Sequence, residues 1–329
     1  MKIAINGFGR IGRTAAKIIY ERSDLELVAI NDLTETETLA HLLKYDSTYG
    51  IWSHEVGFDE NDIIIDKKRI HAYTEKEPAK LPWRELGIDV VLECTGRFLT
   101  KEDTMAHIKA GAKKVVMSAP PKDDTPMFVI GVNADKYAGE EIVSNASCTT
   151  NCITPVMKVL EDTFGIEKSL MTTIHSYTAD QNLVDGPHKD LRRARSAALN
   201  IVPTSTGAAK AAFKTIPALK DRFDGLAVRV PTPVVSLADI TAVLKKEVTV
   251  TEINKSFTEA EDEGMKGILA TTEEQVVSTD LMGNKFSSIV DLSLTQVVGG
   301  NLVKVISWYD NEWGYSERLV DLAQLISKK

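Results

Sequence analysis

Two rhythms of apolar and polar positions divide the chain. Short apolar, β-branched runs at residues 2–6, 27–31, 89–93, 114–117 and 128–131 predict strands. Around residues 12–22, Ile11, Ala15, Ile18 and Ile19 recur at helical spacing, and residues 101–110 repeat a helical pattern between the third and fourth strands. Strand, helix and strand at this spacing pair in parallel through crossover helices, which predicts a doubly wound sheet. Residues 56–73 read instead as a hairpin-like excursion, with turns at Asn61-Asp62 and Asp66-Lys67-Lys68.

In the second half the predicted strands lengthen, to residues 170–175, 226–230, 234–244 and 302–309, and fewer helices separate them. One helix opens near Thr249, where Glu252 three residues on makes a capping-box pattern. Others are expected over 208–216 and 317–327. The fold class is therefore α/β: a Rossmann-type parallel sheet over residues 1–147, then an α+β domain over 148–312 with a mostly antiparallel sheet covered by helices. A final helical segment spans 313–329, free by its pattern to pack on either domain.

Composition narrows the function classes. A chain of 329 residues, 43% hydrophobic and 26% charged, buries two sizeable cores and is not disordered. Its net charge of −8 excludes a globally basic nucleic-acid surface. Three cysteines cannot build a disulfide framework, so a reducing compartment fits. No run approaches the ~18 apolar residues of a spanning helix. The apolar start meets Asn6-Gly7 at once, so no signal peptide is read and a cytoplasmic location is expected. No metal is expected.

Asn6-Gly7-Phe8-Gly9-Arg10-Ile11-Gly12 places three glycines after a predicted strand and at the head of a predicted helix. Asp32 follows Gly12 by 20 residues, at the end of the next strand. Together these are the context of a dinucleotide fingerprint. Gly7 allows the tight turn, Gly9 lets backbone reach a pyrophosphate, and Gly12 lets the helix pack close on the strand. The helix start offers free N–H groups to phosphates. An ordinary βα turn and a capping aspartate would leave the same letters. As a cofactor residue, Asp32 accepts from ribose hydroxyls and repels a 2′-phosphate, and Leu33-Thr34 bring no cation to offset it, so NAD is favoured over NADP.

Ser144-Asn145-Ala146-Ser147-Cys148-Thr149-Thr150-Asn151-Cys152 precedes the helical pattern of Ile153, Val156, Met157 and Leu160. A cysteine at a helix start has its thiolate stabilised by the dipole and by free N–H groups, which could also hold an oxyanion. Pro155 opposes this reading: either the helix bends there, or it begins only near Thr154 and the dipole argument weakens. A buried, inert Cys148 stays open. Cys152 reads as structural and Cys94 as core. His175 ends a predicted strand before Ser176-Tyr177-Thr178, placed either as a base for Cys148 or as a structural histidine.

Residues 188–195 carry four Lys or Arg against one acid, an anomaly in an acidic protein. Thr204-Ser205-Thr206-Gly207 opens the helix at 208–216, a second anion candidate, and Arg229 lies in a strand before Pro231. A solvated helix face or intersubunit salt bridges would explain the basic run equally. RNA binding is disfavoured, because no aromatics are interleaved.

These residues give the chain a resemblance over essentially its whole length to the phosphorylating glyceraldehyde-3-phosphate dehydrogenases of bacterial and eukaryotic type. The most specific stretch is Ala146-Ser147-Cys148-Thr149-Thr150-Asn151-Cys152. Residues 5–12, Asn31-Asp32, 93–98, 175–178, 189–195, 206–210, 229–233 and 308–315 also match. The resemblance implies that Cys148 is the nucleophile and His175 its base. It implies that Thr178 and Arg229 hold the substrate's own phosphate. It puts Ser147, Thr149, Thr206 and Gly207 at the attacking phosphate, with Arg193 near the anion sites. Arg10, Ile11, Asp32, Ser118 and Asn311 would contact NAD, with Asn311 on the nicotinamide amide and Tyr315 packed nearby. Lys76 replaces a frequent arginine near the adenine, where a backbone contact would survive, and Cys94 replaces a frequent serine. Pro187 stands where NAD-preferring members have proline.

The implied reaction is NAD-dependent oxidative phosphorylation of a triose phosphate, D-glyceraldehyde 3-phosphate, with inorganic phosphate, through a cysteine thiohemiacetal and thioester. A homotetramer is implied, with residues 189–195 in a loop reaching a neighbouring subunit and the last helix returning to the cofactor domain. An erythrose-4-phosphate dehydrogenase is the nearest rival. A non-catalytic dinucleotide- or RNA-binding protein, and a thiol hydrolase, are further alternatives.

Overall fold

In a computed structural model of the chain, residues 1–328 are described; the expected terminal segment 313–329 ends on Lys329, which lies outside them. The chain divides into two compact units. The first comprises Met1–Phe128, Lys136–Ala146 and the chain from Ser316 onward; the second comprises Val129–Asp135 and Ser147–Tyr315.

The first unit is built on one twisted sheet. Among the described residues its strand order is Ile142–Ser144, Lys114–Met117, Val90–Glu93, Lys2–Asn6, Glu26–Asn31, Lys68–Tyr73, Asp62–Ile65 and Val56–Phe58. The first six pair in parallel, and the last two are added through antiparallel pairs. The central strand reads as an unbroken apolar run because both faces are covered, and Ile3, Ala4 and Ile5 are fully buried. Strand order reverses beside Lys2–Asn6, and the carboxyl ends there are where α/β sheets bind ligands. The excursion at 56–73 is no appendage: its three strands extend the sheet, and Asp66 and Lys67 take positive φ at the turn.

One expected strand is absent. Residues 128–131 form a turn, since Val129 N–H bonds Asn133 Oδ1 at 2.8 Å and Gly131 takes φ +81°. The local side-chain acceptor captures the backbone donor before a ladder can. Ile142–Ser144 is the last strand on this side, met only by a single bridge from Met127 to Ser144.

The second unit carries a mixed sheet. Its order is Val202–Ser205, Phe223–Val230, Ile166–Ser176, Ser236–Leu244, Leu302–Tyr309, Ser288–Asp291 and Leu269–Thr272, with Gln296–Val298 also paired to Leu302–Tyr309. Two pairs are parallel, Ile166–Ser176 with Phe223–Val230 and Leu269–Thr272 with Ser288–Asp291; the rest are antiparallel. Helices Cys148–Phe164 and Val250–Asp262 bury Ile153, Val156, Leu160, Ile253 and Phe257 against Met171, Ile240 and Val305. Strand alternation leaves Leu170, Leu226 and Leu302 exposed. Thr249 and Glu252 close the expected capping box. The short strands at 202, 269, 288 and 296 escape periodicity, being three or four residues long.

Candidate active site

The helix Cys148–Phe164 begins at the cysteine, not near Thr154. Ser147 is its N-cap, and its Oγ accepts from Thr150 N–H at 3.1 Å. Pro155 lies inside the helix; it withholds one N–H, and the helix runs on past it. The residue before the cap, Ala146, takes φ +56°, a costly conformation outside glycine.

The long strand Ile166–Ser176 carries His175 to that helix start. Cys148 Sγ lies 3.5 Å from His175 Nε2, and His175 Nδ1 lies 2.7 Å from the Ser176 carbonyl. A carbonyl only accepts, so Nδ1 holds the ring proton and Nε2 turns a lone pair toward the sulfur. Parallel pairing sets Arg229 opposite His175. Arg229 Nη1 donates to the Ser176 carbonyl at 3.1 Å and to Thr178 Oγ1 at 3.2 Å.

Ser176 is itself clamped. Its N–H donates to Ser236 Oγ at 3.1 Å, and its hydroxyl lies 2.9 Å from the Val235 carbonyl and 3.0 Å from Thr232 Oγ1. Val235 takes φ +67°, a strained choice for a β-branched residue, and lies beside the site.

Burial pushes the Cys148 thiol above its ordinary value, while the Arg229 charge and hydrogen bonds from Thr149 pull the other way. Burial thus opposes the thiolate expected at the helix start, while Arg229 and the hydrogen bonds there favour it. Burial, then the Arg229 charge, lowers His175 to about 3. Burial pushes both groups toward their neutral forms, a thiol facing an imidazole. Cys152, fully buried against Ser307, is pushed up to about 12. Cys94, expected in the core, lines a cavity and is pushed to about 12 by burial.

Tyr309 was not singled out by sequence. Its hydroxyl lies 3.0 Å from Thr149 Oγ1 and 2.8 Å from Thr173 Oγ1, and its ring meets His175 edge-on at 5.9 Å. The available signal was a tyrosine on the buried face of the strand Leu302–Tyr309, where the hydroxyl must find partners.

Two of the four basic residues in the run pair with acids of their own loop. Arg193 pairs with Asp180, donates to Thr204 Oγ1 at 3.0 Å and to the Ser205 carbonyl at 3.1 Å; Arg195 pairs with Asp185 at 2.8 Å. Thr206 Oγ1 accepts from Ala208 N–H at 3.2 Å, and Gly207 is the N-cap of Ala208–Thr215. Asn311 Oδ1 accepts from Ser236 Oγ at 2.9 Å, and Tyr315 is buried.

In the first unit, a cavity of about 690 Å³ is lined by Gly7, Gly9, Asp32, Lys76, Cys94 and Thr95, among others. Gly7 has φ +93°, and a Cβ there would meet Thr95 N at 2.6 Å; a Cβ on Gly12 would meet Gly7 O at 2.1 Å. At Gly9 a Cβ would meet open space, and no side chain among the described residues caps the helix Arg10–Glu21. Two glycines are thus required by close packing and the third borders a void at a helix N-terminus, which fits a pyrophosphate. Asp32 Oδ2 accepts from Phe8 N–H at 2.7 Å and Oδ1 from Thr34 N–H at 3.0 Å. Arg10 pairs with Asp46 at 2.6 Å, Ile11 is half-buried in the helix, and Ser118 N–H bonds the Glu93 carbonyl at 2.9 Å.

Residues 1–101 match the family model described as Glyceraldehyde 3-phosphate dehydrogenase, NAD binding domain, and residues 147–311 match the one for its C-terminal domain. The chain belongs to the glyceraldehyde 3-phosphate dehydrogenase family. It is 52% identical over 331 residues to the glyceraldehyde-3-phosphate dehydrogenase of Geobacillus stearothermophilus, covering 100% of this chain and 99% of that protein. It is 53% identical over 331 residues to that of Priestia megaterium, with the same coverage. It is 52% identical over 331 residues to a chloroplastic enzyme of Arabidopsis thaliana, covering 99% of this chain and 84% of that protein. The family carries an NAD-binding Rossmann domain and a C-terminal domain, and the chain is an oxidoreductase of that kind. No helix among the described residues is long and apolar enough to cross a membrane.

Proposed function

We propose that the protein oxidises D-glyceraldehyde 3-phosphate with NAD and inorganic phosphate to 1,3-bisphosphoglycerate, through a thioester on Cys148. The observation that carries this reading is Cys148 Sγ facing the lone pair of His175 Nε2 at 3.5 Å, at a helix start.

Gly7, Gly9, Arg10, Ile11, Gly12, Asp32, Lys76 and Ser118 would hold NAD, with Asn311 and Tyr315 at its nicotinamide. When bound, NAD supplies the acceptor for the hydride that leaves the aldehyde carbon. His175 Nε2 takes the thiol proton as Sγ bonds to that carbon, then returns it to the oxygen, giving a thiohemiacetal. The N–H groups at the helix start stabilise the transient oxyanion. His175 takes the hydroxyl proton as the carbonyl reforms, leaving a thioester and an imidazolium. An oxygen of inorganic phosphate attacks the thioester carbon, and the Cys148 sulfur leaves and regains the proton from His175. The attacking phosphate gives its own proton to solvent.

Thr178 and Arg229 would bind the substrate's own phosphate. Ser147, Thr149, Thr206, Gly207 and Arg193 would receive the attacking one, with Arg193 released from Asp180. The exposed apolar side chains of Leu183, Val184, Leu191, Leu199 and Ile201 support a subunit contact for this loop in a homotetramer. A cytoplasmic setting fits the three free cysteines.

The test is NADH absorbance with glyceraldehyde 3-phosphate, with and without inorganic phosphate. Phosphate-dependent turnover forming an acyl phosphate is expected. Turnover on erythrose 4-phosphate that ignores phosphate would replace this reading.

A further inference from the structure

One carbonyl serves two donors. The Ser176 oxygen accepts from His175 Nδ1 at 2.7 Å and from Arg229 Nη1 at 3.1 Å. Three hydrogen bonds hold this residue in place: its N–H donates to Ser236 Oγ, its hydroxyl donates to the Val235 carbonyl, and its oxygen accepts from Thr232 Oγ1. Arg229 Nε is buried without a hydrogen-bond partner among the described residues, so the guanidinium retains a donor to offer. The charged and titratable groups around His175 are Cys148 on its helix, Arg229 on the neighbouring strand, Arg193 from the loop and Tyr309 from the strand beyond. Only the two arginines are charged when the thiol and phenol are protonated. Asp180 offsets Arg193, whereas Arg229 has a hydroxyl and a carbonyl as its hydrogen-bonded partners.

The oxidation step works against this arrangement. The hydride departs with the electron pair while the hydroxyl proton moves to His175, so positive charge accumulates on an imidazole beside a positive guanidinium. Like charges at this range in a desolvated site cost strongly.

Resting on the Cys148–His175 reading above, we infer that an anion bound by Arg229 and Thr178 switches the base on. The substrate's own phosphate cancels the guanidinium charge and draws Nη1 away from the Ser176 carbonyl. The clamped carbonyl then serves His175 alone and stabilises its protonated form. The phosphate on the aldehyde is thus part of the proton-transfer machinery as well as a binding handle. Both effects raise the affinity of His175 for a proton, opposing the Arg229 charge that now lowers it.

The experiment separates handle from switch by using D-glyceraldehyde, which lacks the phosphate, and sulfate as a free anion. Sulfate keeps its double charge across the working range, so its own ionisation cannot move a pH profile. Single-turnover NADH formation is measured with NAD and no inorganic phosphate, at constant ionic strength set with potassium chloride. Sulfate is expected to raise the rate roughly tenfold or more and to move the acid limb of the profile to higher pH. In Arg229→Gln, whose amide can still donate to Ser176, the limb is expected to sit high without sulfate and to ignore it. A wild-type limb that sulfate leaves in place, or an Arg229→Gln enzyme that still responds, overturns the inference and leaves the catalytic pair intact. A limb that persists in His175→Asn overturns the pair itself.

Discussion

Gly7, Gly9 and Gly12 shape the first unit's site by what they lack, whereas Cys148, His175, Thr178, Arg229 and Tyr309 shape the second unit's site by what they bring. The glycine turn is local: six residues, one strand end and one helix start. The cysteine corner draws on a helix, a loop and three strands, spread over more than half the second unit's chain. A site made by backbone tolerates any change that leaves the void open; a site made by converging side chains fails with any one of them. Each substitution below bears on that contrast.

The largest effect is expected at Cys148. Cys148→Ala should lower turnover by about 10⁴-fold or more, while NAD still binds by fluorescence titration. Persisting turnover would remove the sulfur from the chemistry. Next is His175→Asn, expected to slow oxidation by roughly 10²–10⁴-fold and to slow alkylation of Cys148 by iodoacetamide. The same variant tests the pH sign. The folded imidazole is held at about 3 against an ordinary 6.5. As pH falls through that window the unfolded chain takes a proton that the folded chain refuses, so stability drops. Urea midpoints should fall less steeply with acid in His175→Asn than in the parent.

The glycine turn yields a paired prediction. Gly12→Ala places a Cβ 2.1 Å from Gly7 O; it should cost about 1–3 kcal/mol of stability and abolish NAD binding. Gly9→Ala meets no atom within 4 Å and starts from φ −73°, so stability should change by under ~1 kcal/mol while NAD affinity falls. Equal stability losses in the two would refute the void. The smallest effect on activity is expected of Tyr309→Phe. It strips two buried threonine hydroxyls of a partner, at about 1–3 kcal/mol, and turnover should fall less than in His175→Asn.

The same contrast governs what could be read in advance. The parallel sheet, the glycine turn and Asp32 follow from short-range pattern, because strand, turn and helix are neighbours in the chain. Cys148, His175 and Arg229 were each visible as candidates, but spacing alone left all three open; family likeness grouped them. Tyr309 stayed hidden because pairing register, a long-range property, brings its strand beside His175; the Ser176 carbonyl, although adjacent in the chain, is a backbone acceptor that no residue type announces. The push of burial against the expected thiolate was not legible either, because desolvation depends on everything packed around the sulfur. The expected strand at 128–131 stops at its first residue: Met127 bridges Ser144 and Phe128 N–H reaches the Ser144 carbonyl, but Val129 N–H turns to Asn133 Oδ1 and Gly131 takes positive φ.

The helix Trp313–Ser327 bears on how the chain is made. Arg22 pairs with Glu317 and Asp321, and Tyr137 reaches the Ile326 carbonyl, so the first unit is finished with side chains nearly 300 residues downstream of Arg22. During synthesis the first unit stays incomplete until residues 317–326 have been made, long after Arg22. Losing that helix would therefore be felt around Arg22 and Tyr137, in chain translated well before it.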